Sequence, residues 1–176
     1  SSNVDHIRFL STQAKTNPHY YIHDEIGYNY RMTNLQAALG VAQMEELPEF
    51  IKRKQRNYEL YKREFEGFKY GYITPFREGT DSNKWFYSFC IDRNKITATM
   101  REIIIALEKK NIQTRAIWGL INEQKPYKDE ETYKLEKAPY YASRILNIPC
   151  STHITEEEIK YVAGEVKQLL KGLANG

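Results

Sequence analysis

Apolar residues along the chain follow two rhythms. From Thr33 to about Glu46 they recur at helical spacing, and Leu35, Ala38, Leu39 and Ala42 predict a buried stripe on an amphipathic helix. Thr33 and Gln36 fit a capping box at its start. Pro48 predicts the first turn of a second helix, where a missing N–H is tolerated. That helix carries Phe50, Ile51, Tyr58, Tyr61 and Phe65 and is closed by Gly67. Upstream, Ile7, Leu10 and Ala14 share one face of a predicted helix over Val4 to Lys15, which Thr16-Asn17-Pro18 ends.

After Gly67 shorter elements take over. Tyr70 to Pro75 and Lys84 to Asp92 read as strands. The second alternates, with Trp85, Tyr87, Phe89 and Ile91 on one face and Phe86, Ser88 and Cys90 on the other. Thr99 and Glu102 form another capping box, ahead of Met100, Ile103, Ile104 and Leu107 at helical spacing. Asn111 ends that helix, and Ile112 to Trp118 reads as the next strand. Residues 119–137 read as a loop. Pro139 opens a short helix with Ala142, Ile145 and Leu146, and Asn147 to Cys150 is extended. Thr155 and Glu158 cap a final helix whose apolar face is Ile159, Val162, Ala163, Val166, Leu169 and Leu170, with Ile154 stapled against Ile159. Strand, strand, helix, strand, helix, helix predicts an α+β unit with helices on one side of a small antiparallel sheet.

Composition narrows the function classes. The 176 residues suffice for one domain with a real core, and 41% hydrophobic with 28% charged residues is ordinary for a globular protein. The formal charge of +3 is spread among interspersed acids and bases, so neither a nucleic-acid stripe nor a membrane-binding face stands out. Lys52, Arg53, Lys54 and Arg56 read as a solvated helix face. No apolar run approaches the roughly 20 residues of a membrane span. Cys90 and Cys150 read as reduced thiols, which goes with a cytoplasmic protein. The histidines lack metal-ligand spacing, so no metal site is expected. A chain that begins in mid-pattern at Ser1 reads as part of a larger protein.

The candidate chemistry gathers in the run from His23 to Ala38. Gly27 supplies backbone freedom. Asn29 and Arg31 offer hydrogen-bond donors beside the start of a helix, an arrangement suited to an anion. The same residues also fit a plain structural loop, with Tyr28 and Tyr30 as anchors and Arg31 in an ion pair.

Gly-Tyr-Asn-Tyr-Arg-Met-Thr-Asn-Leu-Gln-Ala-Ala-Leu-Gly, residues 27–40, followed by Gln43, resembles a signature of the DegT/DnrJ/EryC1/StrS family of pyridoxal-phosphate aminotransferases, which act on nucleotide-linked keto sugars. Gln113-Thr114-Arg115, the run Trp118 to Tyr127, and Leu146 to Ser151 extend the likeness, most of all to enzymes of perosamine, bacillosamine and legionaminic acid pathways. The resemblance implies the C-terminal part of a fold-type-I aminotransferase. Residues 1–66 would end the large cofactor-binding domain with its connecting helices, and 67–176 would form the small domain. It implies a Schiff-base lysine and an acidic pyridine partner upstream of this span; no lysine here has that context, Lys15 lying nearest. Asn29 is matched to an asparagine that reaches the cofactor phosphate of the neighbouring subunit in a homodimer. Arg31 is matched to the arginine beside it, on an anionic group. His23, Tyr30 and Arg115 would contact the sugar nucleotide. Trp118 and Tyr127 either stack on a base or serve as core. The implied reaction moves an amino group from glutamate to the C4 ketone of a nucleotide-linked 6-deoxy sugar, for cell-surface polysaccharide. A dehydratase relative with histidine in place of the lysine, and a stand-alone interaction domain, stay open as alternatives.

Overall fold

The computed structural model describes residues 2–17, 19 and 22–174. The chain divides into two compact units, Ser1–Leu47 and Pro48–Gly176.

The first unit opens with helix α1, Ser2–Leu10. It is shorter than the predicted Val4–Lys15. The hydroxyls of Ser11 and Thr12 donate back to the Arg8 carbonyl, at 2.9 and 3.0 Å, and compete with the next helical bonds. Gln13 and Ala14 then take positive φ values of 67° and 49°, which turn the chain. Ala14 is fully buried where the turn closes. Pro18, part of the predicted break, lies outside the described residues.

Helix α2, Asn34–Glu64, begins in this unit and continues into the next. The expected break at Pro48 does not occur. Proline removes one intrahelical bond there, but Met44, Glu45, Glu46 and Leu47 before it and Lys52 after it are good helix formers, and the helix runs on. The predicted buried stripe is also corrected: Leu35 is 82% exposed and Leu39 64%. The spacing marks a face fitted for burial, but nothing in the Ser1–Leu47 unit covers it.

The second unit holds strands β1 (Gly71–Ile73), β2 (Tyr87–Ile91), β3 (Arg115–Ala116) and β4 (Ile145–Ile148), with helices α3 (Met100–Glu108), α4 (Lys137–Ala142) and α5 (Glu156–Ala174). The sheet is antiparallel throughout, in the order β1-β2-β4-β3. The fold class is therefore α+β, as the element order predicted. Two details differ. The strand expected over Ile112–Trp118 shrinks to Arg115–Ala116, and Ile145 and Leu146 are strand rather than helix. A short apolar run suits either state. Pairing decides this one, with Leu146 between Phe89 and Ala116 in register.

One face of the sheet carries Ile73, Tyr87, Phe89, Ile91, Leu146 and Ile148 into a core shared with Tyr58, Tyr61 and Phe65 of α2, Ile103 and Leu107 of α3, and the apolar side of α5. The Phe89 ring lies across Gly71, where a Cβ would come within 2.4 Å of it. Both capping boxes form: Thr99 with Glu102, and Thr155 with Glu158. Ile154 and Ile159 both lie in this core.

Candidate functional site

The run His23–Arg31 folds back along the end of α1. Tyr28 donates its N–H to Leu10 O (2.8 Å) and Tyr30 donates to Ser11 O (3.1 Å); Gln13 returns a bond to Tyr28 O (3.0 Å). Bridges pair Thr12 with Asn29 and Lys15 with His23. Gly27 permits this approach. A Cβ there would stand 2.3 Å from the Ala14 nitrogen. The Tyr28 and Tyr30 rings stack at 5.4 Å. Past Arg31, Thr33 caps α2: Gln36 N–H donates to Thr33 Oγ1 (3.3 Å) and Thr33 N–H donates to Gln36 Oε1 (2.9 Å).

Four of the five predicted site residues therefore sit in one segment held against α1. Asn29, Tyr30 and Arg31 are exposed just ahead of the helix start. Among the described residues, neither the Asn29 amide nor the Arg31 guanidinium has a hydrogen-bond or ion-pair partner, which leaves the structural ion pair for Arg31 without a carboxylate. Two donors and no acid, beside the unpaired N–H groups of a helix's first turn, make a donor set for an anion such as a phosphate ester. His23 Nδ1 lies 2.6 Å from Gln13 O, a contact that ties the loop shut.

Arg115 belongs to the second unit, on β3. The sheet face turned away from the core begins with Tyr72, Cys90 and Ile145 in one cross-strand row. Cys90 and Ile145 are buried there, outside the main core. The Tyr72 hydroxyl is pushed up to about 12, first by its hydrogen bond with the Cys90 thiol and then by burial. The next row is polar: Ser88, Asn147 and Arg115 lie across β2, β4 and β3, and Thr74, one residue past β1, donates its N–H to Ser88 O. Ser88 Oγ donates to Asn147 Oδ1 at 2.8 Å. Arg115 is exposed and makes no ion pair among the described residues. Phe86, two residues before Ser88, and Trp118, three after Arg115, meet with ring centroids 5.6 Å apart, and Trp85 joins them at 4.4 Å from Phe86 and 6.1 Å from Trp118. The Trp85 backbone is fixed by Lys54, whose ammonium donates to Trp85 O and Cys150 O. Strand alternation predicts Trp85 on a strand face, whereas β2 begins at Tyr87; Asn147 has one sequence signal, a lone amide inside Ile-Leu-Asn-Ile.

Among the described residues no group of three or more His, Cys, Asp or Glu is arranged to hold a metal ion, and no helix is long and apolar enough to cross a membrane.

The profile of the DegT/DnrJ/EryC1/StrS aminotransferase family matches residues 2–167. The chain belongs to that family. GDP-perosamine synthase of Vibrio cholerae is 27% identical over 167 residues, which is 93% of this chain and 44% of that protein. The enzyme of the same name from Escherichia coli O157:H7 is 28% identical over 148 residues, 84% of this chain and 39% of its own. EpsN of Bacillus subtilis, whose name carries a dependence on pyridoxal phosphate, is 26% identical over 88% of this chain and 40% of its own length. Among solved structures, the Helicobacter pylori aminotransferase PseC, involved in pseudoaminic acid biosynthesis, superposes with a TM-score of 0.77 at 20% identity, over 98% of this chain and 47% of that one. DesI, solved with its TDP-sugar product, gives 0.76 at 22%, over 93% and 41%. The chain thus spans about two fifths of the length of the curated relatives it matches. The structural likenesses establish the fold of this family member.

Proposed function

We propose that this chain is the C-terminal portion of a pyridoxal-phosphate aminotransferase that moves an amino group from glutamate to the C4 ketone of a nucleotide-linked 6-deoxy sugar, in the cytoplasm, for cell-surface polysaccharide. Residues 1–66 end the cofactor domain with its connecting helix, and 67–176 form the small domain. The observation that carries this reading is the Asn29-x-Arg31 pair: two donors without a partner among the described residues, held on a fixed loop immediately before a capped helix.

Pyridoxal phosphate, when bound, supplies the electron sink for amino transfer. This chain's residues do the rest of what is proposed for it. Asn29 donates its amide N–H to a phosphate oxygen of the cofactor held by the partner subunit of a homodimer. Arg31 meets a neighbouring anionic group with its planar fork. Tyr30 presents an exposed phenol toward the sugar nucleotide, while His23, bonded to Gln13 O, sets the loop's position and adds its ring to the same wall. Arg115 contacts the substrate from the small unit. No lysine here has the context of a Schiff-base lysine, which this reading places upstream of Ser1.

Two measurements test the proposal. Borohydride reduction of the chain mixed with pyridoxal phosphate is expected to label no single lysine; one stoichiometrically labelled lysine would overturn the missing-centre assignment. Exchanged for the matching segment of Vibrio cholerae GDP-perosamine synthase, the chain is expected to support glutamate-dependent amination, lowered more than about tenfold by Asn29→Ala or Arg31→Ala. A folded exchange protein indifferent to both substitutions would sink the role of the pair. A dehydratase reading has one observation behind it: dTDP-4-dehydro-2,6-dideoxy-D-glucose 3-dehydratase of Saccharopolyspora spinosa is 25% identical over 92% of this chain. Dehydration without amination in the exchange protein would favour it.

A further inference from the structure

We propose that the corner where β2 ends beside the C-terminus of α4 is a binding site for a small organic anion, a phosphate or carboxylate carried on a flat apolar body, with Arg144 as its principal contact. The corner lies wholly within the Pro48–Gly176 unit, and the residues that form it are none of those assigned to amino transfer.

Three observations meet there. The first is a cavity of about 240 Å³, lined in part by Lys69, Tyr72, Asp92, Asn94, Tyr140 and Arg144. It is smaller than a site for a drug-sized ligand, which runs to roughly 300 Å³ and above, so its occupant is small.

The second is an excess of positive charge. Arg93 and Arg144 are neighbours, and neither has a carboxylate partner among the described residues. Burial first, and then the Arg144 charge, hold the Arg93 guanidinium below its usual range. The Lys69 ammonium stands over the Tyr70 ring, 4.8 Å from its centroid, with no acceptor among the described residues. The acid that lines the cavity, Asp92, is already answered. Lys95 pairs with it at 3.0 Å and the Asn94 N–H donates to it, which hold its carboxyl below the usual range. An anion here would offset the repulsion between the two guanidiniums.

The third is that Arg144 is fixed with donors to spare. Its Nη1 donates to Tyr140 O (3.1 Å) and Ser143 Oγ (2.9 Å), and its guanidinium lies over the Tyr140 ring at 3.9 Å. Nε and Nη2 have no partner among the described residues, and that edge of the fork suits two oxygens of one oxyanion. Ile91 N–H donates to Arg144 O (2.9 Å), which ties the residue to the end of β2. Arg93 braces the same turn, with Nε donating to Ser143 O (2.7 Å) and Nη1 to Ala98 O.

The aromatic lining sets the rest of the ligand. Tyr72 is half exposed, its hydroxyl tied to the Cys90 thiol, and Phe68 and Tyr140 line the same cavity. These rings take up an apolar body, whereas a bare ion would leave them wet.

Phenyl phosphate, benzoate, inorganic phosphate and phenol, titrated into the isotope-labelled chain, test both halves of the ligand. Phenyl phosphate or benzoate is expected to shift the amides of Lys69, Tyr72, Asp92, Asn94 and Arg144 saturably, and the tighter of the two identifies the head group. Inorganic phosphate is expected to move the same amides about tenfold more weakly, and phenol to give no saturable shift. Arg144→Ala should weaken the better ligand about tenfold or more, the loss of a charge-assisted contact, and Arg144→Lys, which lacks the fork, should not restore it. Lys69→Ala, at an exposed residue, should weaken it about threefold and serves where loss of the Arg144 contacts to α4 unfolds the first variant. Unchanged amides with both organic anions at millimolar concentration overturn the proposal. So does phenol binding as tightly as phenyl phosphate, or binding indifferent to Arg144→Ala in a variant whose β2 and β4 amides keep their positions. Should that variant not fold, binding indifferent to Lys69→Ala overturns it equally. Amination by the exchange protein, or its absence, moves none of these readouts.

Discussion

Gly27 sits where the polypeptide crosses its own earlier course. Any side chain at that position would drive into the Ala14 backbone, with a Cβ at 2.3 Å from nitrogen and 2.4 Å from the Gln13 carbonyl carbon. Gly27→Ala is therefore expected to cost about 1–3 kcal/mol of local stability, the usual range for overpacking a closed site. Amide exchange at Tyr28 and Tyr30, whose N–H groups bond to Leu10 and Ser11, should accelerate accordingly, while the β2 and β4 amides stay protected. Unaltered exchange at those two tyrosines would show that the crossing tolerates a methyl. The substitution separates the donors from their frame: Asn29 and Arg31 keep their chemistry but lose their fixed position.

Among the elements, the helix starts were the most legible features of the sequence. All three Thr-x-x-Gln/Glu patterns close as written, because a capping box is satisfied by residues three apart and asks nothing of the rest of the fold. Thr155→Ala should cost about 1 kcal/mol in a denaturant titration. At Thr99 the box has a pH signature. Hydrogen bonds from Thr99 hold the Glu102 carboxyl below the usual carboxylate range. A depressed folded pKa gives a contribution that is full above the ordinary glutamate range and is lost as pH falls through the folded value. Thr99→Ala should therefore flatten the acid side of the stability profile and leave its alkaline side parallel to the parent. What the sequence did not disclose has an equally physical cause. The helix through Pro48 turned on whether one lost N–H outweighs good flanking formers. The strand at Ile145 turned on partners some fifty residues away in sequence, Phe89 and Cys90. In the site, the Asn-x-Arg pair was readable as a local motif, whereas the Ser88–Asn147–Arg115 row exists only once three strands pair.

For the whole molecule, the contrast is between a closed core and an open helix face. Leu35, Leu39 and Met44 are mostly exposed, whereas Phe89, Ile103 and Leu107 are almost wholly buried. Replacing Leu35 and Leu39 with Gln is expected to change unfolding free energy by no more than about 0.5 kcal/mol each, as for surface positions. Phe89→Ala should cost about 3–5 kcal/mol. The same Leu→Gln changes should lower any self-association seen by sedimentation velocity, since that face is the apolar surface left over for a neighbour. Destabilisation comparable to Phe89→Ala would contradict the exposure of the helix. The sheet itself carries a safeguard of a different kind. β4 comes last along the chain yet inserts between two strands laid down before it, so nothing local tells it how far to slide. Asn147 does. A shift of one residue would swing its amide into the hydrocarbon interior and lift Leu146 out, a penalty no alternative alignment escapes. The residue that interrupts the strand's greasy run is thus what lets the final insertion find a single stopping place.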